Sequence, residues 1–306
     1  MKVSVIIPTY NEEESILDCL ESLGKQSLAD FEIIVVDDGS TDSTLSALQG
    51  LTLKVRVLKQ EHKGAGAARN LGVKHAKGEI LVFVDSDMIF DGNFLEELIN
   101  PIVKKEAKGT LSKNEYVENW SNVWARCWNI NEGWENKKRH PSANRNLFYK
   151  FYDYLGYSIP HLDLSLKNYL TYKSRIGKEV FRAILKSEFD RVGGYVPGGY
   201  NDDWSLRDRL GYNPEIVEGA KFFHKNPSSL DEIYKQAKWI GKRSYKLGLL
   251  GSLYALVRSS LPMSIIVGVW KSVINLEPRF LVFKVVYDLG VFLGILEYTL
   301  YKKAAK

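Results

Sequence analysis

The sequence predicts an α/β fold: a mainly parallel mixed sheet followed by a helical C-terminal extension. Three observations carry this reading. Val3–Pro8, Phe31–Val36, Val55–Leu58 and Ile80–Val84 are short apolar runs without polar alternation, as expected of strands buried on both faces. Between them, Ser15–Lys25, a short stretch after Ser43, Ala65–Ala76 and Asn93–Ile102 read as helices, the alternation of a parallel sheet covered on both sides. From residue 249 to 301 the chain is strongly apolar, which sets a C-terminal segment apart.

The remaining elements follow in order. Residues 103 to 175 are rich in Trp, Tyr, Asn and Lys with weak periodicity, and are expected to form helices and loops over a site. Trp120, Trp124 and Trp128 recur at helical spacing. Core packing explains them best, with an acceptor-stacking surface as the other reading. From Phe181 to His224 short strands and Gly-rich turns return around a helix-like Asp203–Leu210, and residues 229 to 248 read as one long helix. The expected organisation is a catalytic domain over 1–226, divided into 1–102 and 103–226, and a helical extension over 227–306.

Composition narrows the function. With 45% hydrophobic and 26% charged residues the chain is globular, and a net charge of +5 gives no reason to expect a nucleic-acid partner. Two distant cysteines, Cys19 and Cys127, do not make a disulfide framework and suggest a reducing compartment. Met1-Lys2 runs directly into the first strand, so no export signal is expected.

In open parallel sheets ligands bind at the carboxyl ends of strands. Three polar clusters fall there: Thr9-Tyr10-Asn11-Glu12, Asp37-Asp38-Gly39-Ser40 and Asp85-Ser86-Asp87. Asp85 and Asp87, one residue apart at a strand end, suit Mg²⁺ or Mn²⁺, which take oxygen ligands and bridge to phosphates. A solvated acidic turn is the competing reading of that triplet taken alone. At Asp38 a carboxylate can accept a hydrogen bond from a base N–H or ribose hydroxyl, and ordinary turn chemistry accounts for the same residues equally well.

The combination of motifs decides between them. Pro8-Thr9-Tyr10-Asn11-Glu12, Val36-Asp37-Asp38-Gly39-Ser40-Thr41-Asp42, Gly66-Ala67-Ala68-Arg69-Asn70-Leu71-Gly72 and Phe83-Val84-Asp85-Ser86-Asp87 occur in order. Together they strongly resemble the family 2 glycosyltransferase domain of the GT-A fold, densely over residues 1 to about 100. The resemblance implies inverting transfer of a sugar from a UDP- or GDP-linked donor to a hydroxyl of a glycan or lipid-linked glycan. It implies that Thr9, Glu12 and Asp38 face the nucleoside, with Pro8, Tyr10 and Ser86 in the same donor site. Arg69 would face the nucleotide or its phosphates, and Asp85 and Asp87 the ribose and the metal.

Further along, Val192-Gly193-Gly194-Tyr195 precedes Asn201-Asp202-Asp203-Trp204, similar to the family's Gly-Gly-Phe segment and its acidic pair, with Asp202 standing where the family has Glu. The resemblance makes Asp203 the general base, with Asp202 orienting the acceptor. A sugar hydroxyl needs such a base; helix capping by Asp203 is compatible with the role. The resemblance also implies Arg182 in the donor-sugar pocket and His224 completing the metal site, with a structural histidine after an apolar strand as the other reading. Gln236-Ala237-Lys238-Trp239 only partly matches the Q-x-x-R-W helix of processive synthases, which argues against polymer synthesis. Gly64-Ala65-Gly66 mimics a dinucleotide fingerprint, but Arg69 stands where its last Gly belongs.

Rival functions are a polyprenyl-phosphate sugar transferase, whose phosphate acceptor needs no base, a sugar-phosphate nucleotidyltransferase, which wants a Gly-rich basic N-terminal loop, and a non-catalytic nucleotide-sugar-binding scaffold. Finally, Arg258, Lys271, Lys284, Asp288 and Glu297 interrupt the apolar tail before the roughly 18 uncharged residues of a spanning helix accumulate. Lys235, Lys238, Lys242 and Lys246 share a helical face. The expectation is a peripheral or monotopic protein on the cytoplasmic face of an anionic membrane; the other reading is a solvated lysine face with a buried helical cap or subunit interface.

Overall fold

The computed structural model describes residues 1–50, 53–132, 180–196, 202–242 and 248–301, without the side chains of 113–115, 132 and 202–204. The described residues form two units. One comes from 1–116 and 178–224, the other from 117–177 and 225–305.

In the first unit β1 (Val3–Thr9), β2 (Phe31–Asp37), β3 (Val55–Lys59) and β4 (Ile80–Phe83) run parallel, joined by α1 (Ile16–Gly24), α2 (Thr44–Gln49) and α3 (Ala65–His75). Every residue of β1 is buried, which explains its unbroken apolar run. Val5, Ile7, Val35 and Val82 face one core with Ile16, Leu20 and Leu23 of α1. Ile34, Val36 and Ala68 make the other side. Helix α3 lies so close to the sheet that a Cβ on Gly72 would sit 2.5 Å from Ile6 Cγ2, so only glycine fits there.

The sheet continues past the parallel strands with β5 (Met88–Phe90), β6 (Gly109–Val117), β7 (Ala183–Leu185) and β8 (Glu215–His224). Among the described residues its order is β3-β2-β1-β4-β7-β6-β8-β5. β7 is antiparallel to β4 and β6, and β5 is antiparallel to β8. Helix α4 (Phe94–Val103) packs on β8; α6 (Lys186–Val192) and α7 (Asp202–Leu210) pack together, and α7 also meets α3.

β6 lies where the sequence suggests loops and helices. Its inner positions include Thr110 and Ser112, which disguise a buried strand as polar. Their hydroxyls donate to backbone carbonyls, Thr110 to Leu98 at 2.7 Å and Ser112 to Ala220, so burial leaves them satisfied.

The second unit contains α5 (Val123–Glu132), α8 (Leu230–Gly241), α9 (Leu249–Arg258), α10 (Leu261–Ile274) and α11 (Phe280–Tyr301). The division differs from the boundary read at 226, because α5 shares a core with the C-terminal helices: Cys127, Trp128 and Ile130 pack with Ile233, Phe280 and Phe283. Trp128 and the partly buried Trp124 are therefore core residues, whereas Trp120 lies in a turn before the helix. α8 starts at a capping box, Ser229 accepting from Glu232 N–H and donating to its carboxylate at 2.7 Å, and is shorter than the sequence suggests. α8 and α11 approach closely at small residues. A Cβ on Gly294 would come within 3.0 Å of Gly241 Cα, and one on Gly290 within 2.9 Å of Ala237 Cβ.

Three of the charges that interrupt the apolar tail, Lys284, Asp288 and Glu297, form ion pairs within this unit. Lys284 donates to Asp288 at 2.7 Å, both buried, and Ser264 Oγ donates to the other carboxylate oxygen at 2.7 Å. The described lysines of this face each have an acidic neighbour. Lys235 pairs with Asp231 at 2.6 Å, while Lys238 and Lys242 close on Glu297 at 3.0 and 2.7 Å. Lys246 lies outside the described residues. These three lysines hold helices and neighbouring acids of their own chain.

Candidate functional site

Strands β2, β1 and β4 are adjacent and parallel, with Thr9 in register with Asp37 and Ile6 with Phe83, so their carboxyl ends meet at one edge. The loops after β1 and β2 are laced together there. Asn11 takes a positive φ of 56°, its backbone N–H donates to Ser40 Oγ at 3.0 Å, and its side-chain oxygen accepts from Thr41 N–H at 2.8 Å. Glu12 N–H donates to Thr44 Oγ1 at 2.8 Å, and Glu13 accepts from Ser43 N–H at 2.8 Å. Pro8 is buried within β1 opposite Val36 and offers the edge shape rather than a polar group.

Thr9 is buried, and its hydroxyl has no hydrogen-bond partner among the described residues. Burying an unsatisfied hydroxyl costs on the order of 1–3 kcal/mol. Among the described residues it is a buried, unpaired hydroxyl at the end of β1.

Asp38 is buried and densely engaged. One carboxylate oxygen accepts from Gln60 Nε2 at 2.6 Å and Lys63 N–H at 2.8 Å; the other accepts from Gly64 N–H at 2.9 Å and lies 2.9 Å from His62 Nδ1. The carboxylate therefore moulds the loop between β3 and α3. His62 in turn stacks on Tyr10, with ring centroids 4.1 Å apart, presenting an aromatic face beside Thr9 and Asp38. Gln60 and His62 escaped the sequence reading because no motif contains them.

Asp85, two residues past β4, sits between two guanidiniums: Arg69 Nη2 donates to one oxygen at 2.7 Å and Arg182 Nη1 to the other at 3.0 Å. Burial disfavours its charge, but Arg182, Arg69 and His224 outweigh this and hold the carboxyl well below the usual carboxylate range. Arg69 comes from α3 and also lies over the Tyr195 ring at 5.5 Å, while Arg182 lies over Phe222 at 5.6 Å. Ser86 is buried beneath them.

Asp87 immediately precedes β5. Its Oδ1 lies 3.3 Å from His224 Nε2, because β5 pairs with β8 with Met88 opposite His224. A carboxylate and an imidazole converging at a strand end form a donor pair that suits Mn²⁺ or Mg²⁺. Among the described residues no group of three or more His, Cys, Asp or Glu side chains is placed to hold a metal ion.

Glu12 is the titratable group most displaced in the neutral range. Burial raises it, a hydrogen bond from Ser15 opposes, and the charges of Asp87, Asp85 and Asp42 push it further, to about 7. In the unfolded chain it ionises near 4.5, so folding is weakened as pH rises from 4.5 to 7 and the loss is complete above. Glu12→Gln is accordingly expected to raise the melting temperature at pH 8 by roughly 2–4 °C or more without added metal. It should change little at pH 4.5. A thermal melt series across pH checks this, and an equal shift at both ends contradicts it.

The segment leading to the acidic pair is tied to the same helix as Arg69. Asn70 Nδ2 donates to the Tyr195 carbonyl at 2.8 Å, and its oxygen accepts from Tyr195 N–H at 2.9 Å. Gly194, at φ 77°, leaves room for this, since a Cβ there would meet Asn70 Oδ1 at 2.5 Å. Asn70 is a positioning residue that the sequence reading quoted within a motif but gave no role. Asp202 and Asp203 open the first turn of α7 in this unit, where the helix dipole favours negative charge. Their side chains lie outside the described residues.

The family model for glycosyl transferase family 2 matches residues 4–160, about half of the chain. The glycosyltransferase GlyG of Streptococcus pneumoniae serotype 4 is 41% identical over 109 residues, 34% of this chain and 36% of that protein. The Escherichia coli UDP-Glc:alpha-D-GlcNAc-diphosphoundecaprenol beta-1,3-glucosyltransferase WfgD is 37% identical over 123 residues, 40% of this chain and 49% of its own. The chain thus spans half or less of these curated relatives. The crystal structure of Staphylococcus aureus TarS 1-349 superposes with a TM-score of 0.51 at 17% identity, covering 98% of this chain and 92% of that one, a likeness of fold. With motifs, strand-end site and family model in agreement, the chain belongs to glycosyl transferase family 2.

Proposed function

We propose that the protein is an inverting glycosyltransferase that moves a sugar from a nucleotide-sugar donor, UDP-linked in the first instance, onto a hydroxyl of a glycan or lipid-linked glycan. The observation that carries the reading is the convergence at one sheet edge of an unpartnered buried Thr9, an Asp85 held between Arg69 and Arg182, and the Asp87–His224 pair. TarS has been crystallised with UDP and with UDP-GlcNAc, and WfgD is named for a UDP-glucose donor and a diphosphoundecaprenol-linked acceptor. Those facts support the donor class and a lipid-linked acceptor here.

The roles follow from charge. The Tyr10–His62 stack offers the nucleoside a ring face, and Asp38 keeps that loop in shape. Thr9 supplies a hydroxyl to the bound nucleotide, and Asp85 takes ribose hydroxyls while its arginines lean toward the diphosphate. Asp87 and His224 would hold Mg²⁺ or Mn²⁺, which stabilises negative charge on a departing diphosphate. Asp203 takes the proton of the acceptor hydroxyl, whose oxygen forms the new bond to the anomeric carbon from the face opposite the nucleotide. The anomeric C–O bond to phosphate breaks, and its electron pair leaves with the nucleoside diphosphate. Asp202 orients the acceptor.

A donor screen reading nucleoside diphosphate release, with each common nucleotide sugar and with Mn²⁺ or Mg²⁺, tests this. One UDP-sugar is expected to be turned over, a chelator to stop release, and added Mn²⁺ or Mg²⁺ to restore it. Full activity after exhaustive chelation removes the metal from the proposal; turnover of a GDP-sugar alone changes the donor.

A further inference from the structure

Helices α9 and α10 are inverted in polarity relative to a water-soluble bundle. Their buried positions are small or polar: Gly251, Ser252 and Ala255 on α9, Ser264 and Gly268 on α10. Their large apolar side chains face outward, with Leu250, Val257, Leu261, Ile266, Trp270 and Val273 each 60–70% exposed. Large aliphatic and aromatic side chains are the residues water drives inside, so an element that keeps its small residues in and its large ones out is built for an apolar surrounding.

The polar groups of this element are silenced in the way hydrocarbon requires. Ser252, Ser259 and Ser264 donate to the carbonyls four residues earlier, at 3.2, 2.7 and 2.9 Å. The single Ser264 proton is shared between the Ser260 carbonyl and Asp288, which is 2.7 Å away and whose charge is matched by Lys284. The one charge within α10, Lys271, donates to the Ile130 carbonyl at 3.1 Å and lies over the Phe280 ring at 5.7 Å. Arg258, half-buried, ends α9 at the bend. Among the described residues no single helix is long and apolar enough to cross a bilayer, but α9 and α10 together are, bent by 55° at the break between them.

We infer that the α9–α10 pair is a bent anchor that enters the acyl region of a bilayer from one side, its outer face against lipid chains. The partner is the hydrocarbon itself, because the exposed side chains of both helices are mainly aliphatic and aromatic. A second copy of the chain is the other body that could cover such a face. It accounts less well for the small, hydroxyl-lined inner side, since a soluble dimer still fills each subunit with large apolar side chains.

The test uses the full chain and no activity readout, so it stands apart from the donor assignment. Flotation with neutral phosphatidylcholine vesicles is expected to carry the protein at both 0.1 and 1 M NaCl, concentrations between which surface charge is screened. Val257→Glu with Ile266→Glu, both exposed, is expected to cut the vesicle-bound fraction by about tenfold or more, because a carboxylate is strongly disfavoured in hydrocarbon. Its circular-dichroism melt in buffer should match wild type. As a second measurement on the unmutated fold, brominated acyl chains should quench a fluorescence component that Trp270→Phe removes. Binding only to anionic vesicles with release by salt would overturn the inference in favour of the lysines. No binding to any vesicle, with a dimer in sedimentation that Ile266→Glu dissociates, would overturn it in favour of a subunit interface.

Discussion

Asp203→Asn is expected to lower turnover by about 10²-fold or more while leaving donor affinity nearly unchanged. Asparagine keeps the shape and can still cap or orient, but it cannot take a proton from a sugar hydroxyl. The strand-end cluster proposed to bind the donor is assembled from other elements: the ends of β1, β2 and β4, Arg69 of α3 and Arg182 before β7. Asp203 opens α7, whose neighbouring segment is fastened to Asn70 rather than to those strand ends. Steady-state rates together with calorimetric donor titration separate the two effects. If Asp202→Asn stops transfer while Asp203→Asn mainly weakens donor binding, the roles are exchanged. Asn70→Ala, removing both bonds to Tyr195, should lower the rate less, through misplacement of the α7 segment.

Asp288→Ala is expected to destabilise the helical unit by about 3–5 kcal/mol. The carboxylate is buried, and it is the partner of the equally buried Lys284 ammonium and the Ser264 hydroxyl. Removing it strands a cation rather than a hydrogen bond. The double variant Lys284→Met with Asp288→Leu should recover most of the loss, because a packed apolar pair of similar volume replaces an ion pair that is costly to desolvate. Guanidinium unfolding in buffer, followed through the helical signal, measures both. A loss below about 1 kcal/mol for Asp288→Ala would show that water reaches Lys284.

The parallel half of the sheet was legible because its signals are local. Unbroken apolar runs mark strands buried on two faces, and Thr9, Asp38 and Asp85 each stand at or next to the end of one, where the parallel registers bring them to a common edge. Asp87 and His224 are 137 positions apart, and their meeting depends on β5 pairing with β8. The sequence reading reached that pair through family resemblance, not through spacing. β6 was missed because Thr110 and Ser112 are buried by giving their hydroxyls to distant carbonyls, a solution with no periodic trace.

The lysines of α8 show the opposite failure. Lys235 and Lys238 lie within α8 and Lys242 just past its end, and Glu297, some sixty residues later, pairs with the last two. Periodicity places side chains on a face and says nothing of what the rest of the chain brings to it. The same limit applies to Asp38, whose carboxylate is shared by Gln60, His62 and two backbone N–H groups from a loop without a motif.

Calorimetric titration of UDP-glucose and UDP-GlcNAc into the full-length protein with Mn²⁺ tests the strand-end site most directly. The account predicts saturable one-site binding of at least one of them, weakened about tenfold or more by Asp85→Asn and by Asp87→Asn, since each removes a charge-assisted contact. Absence of binding by UDP-, GDP- and other nucleotide sugars alike, or binding that both variants leave unchanged, would contradict it.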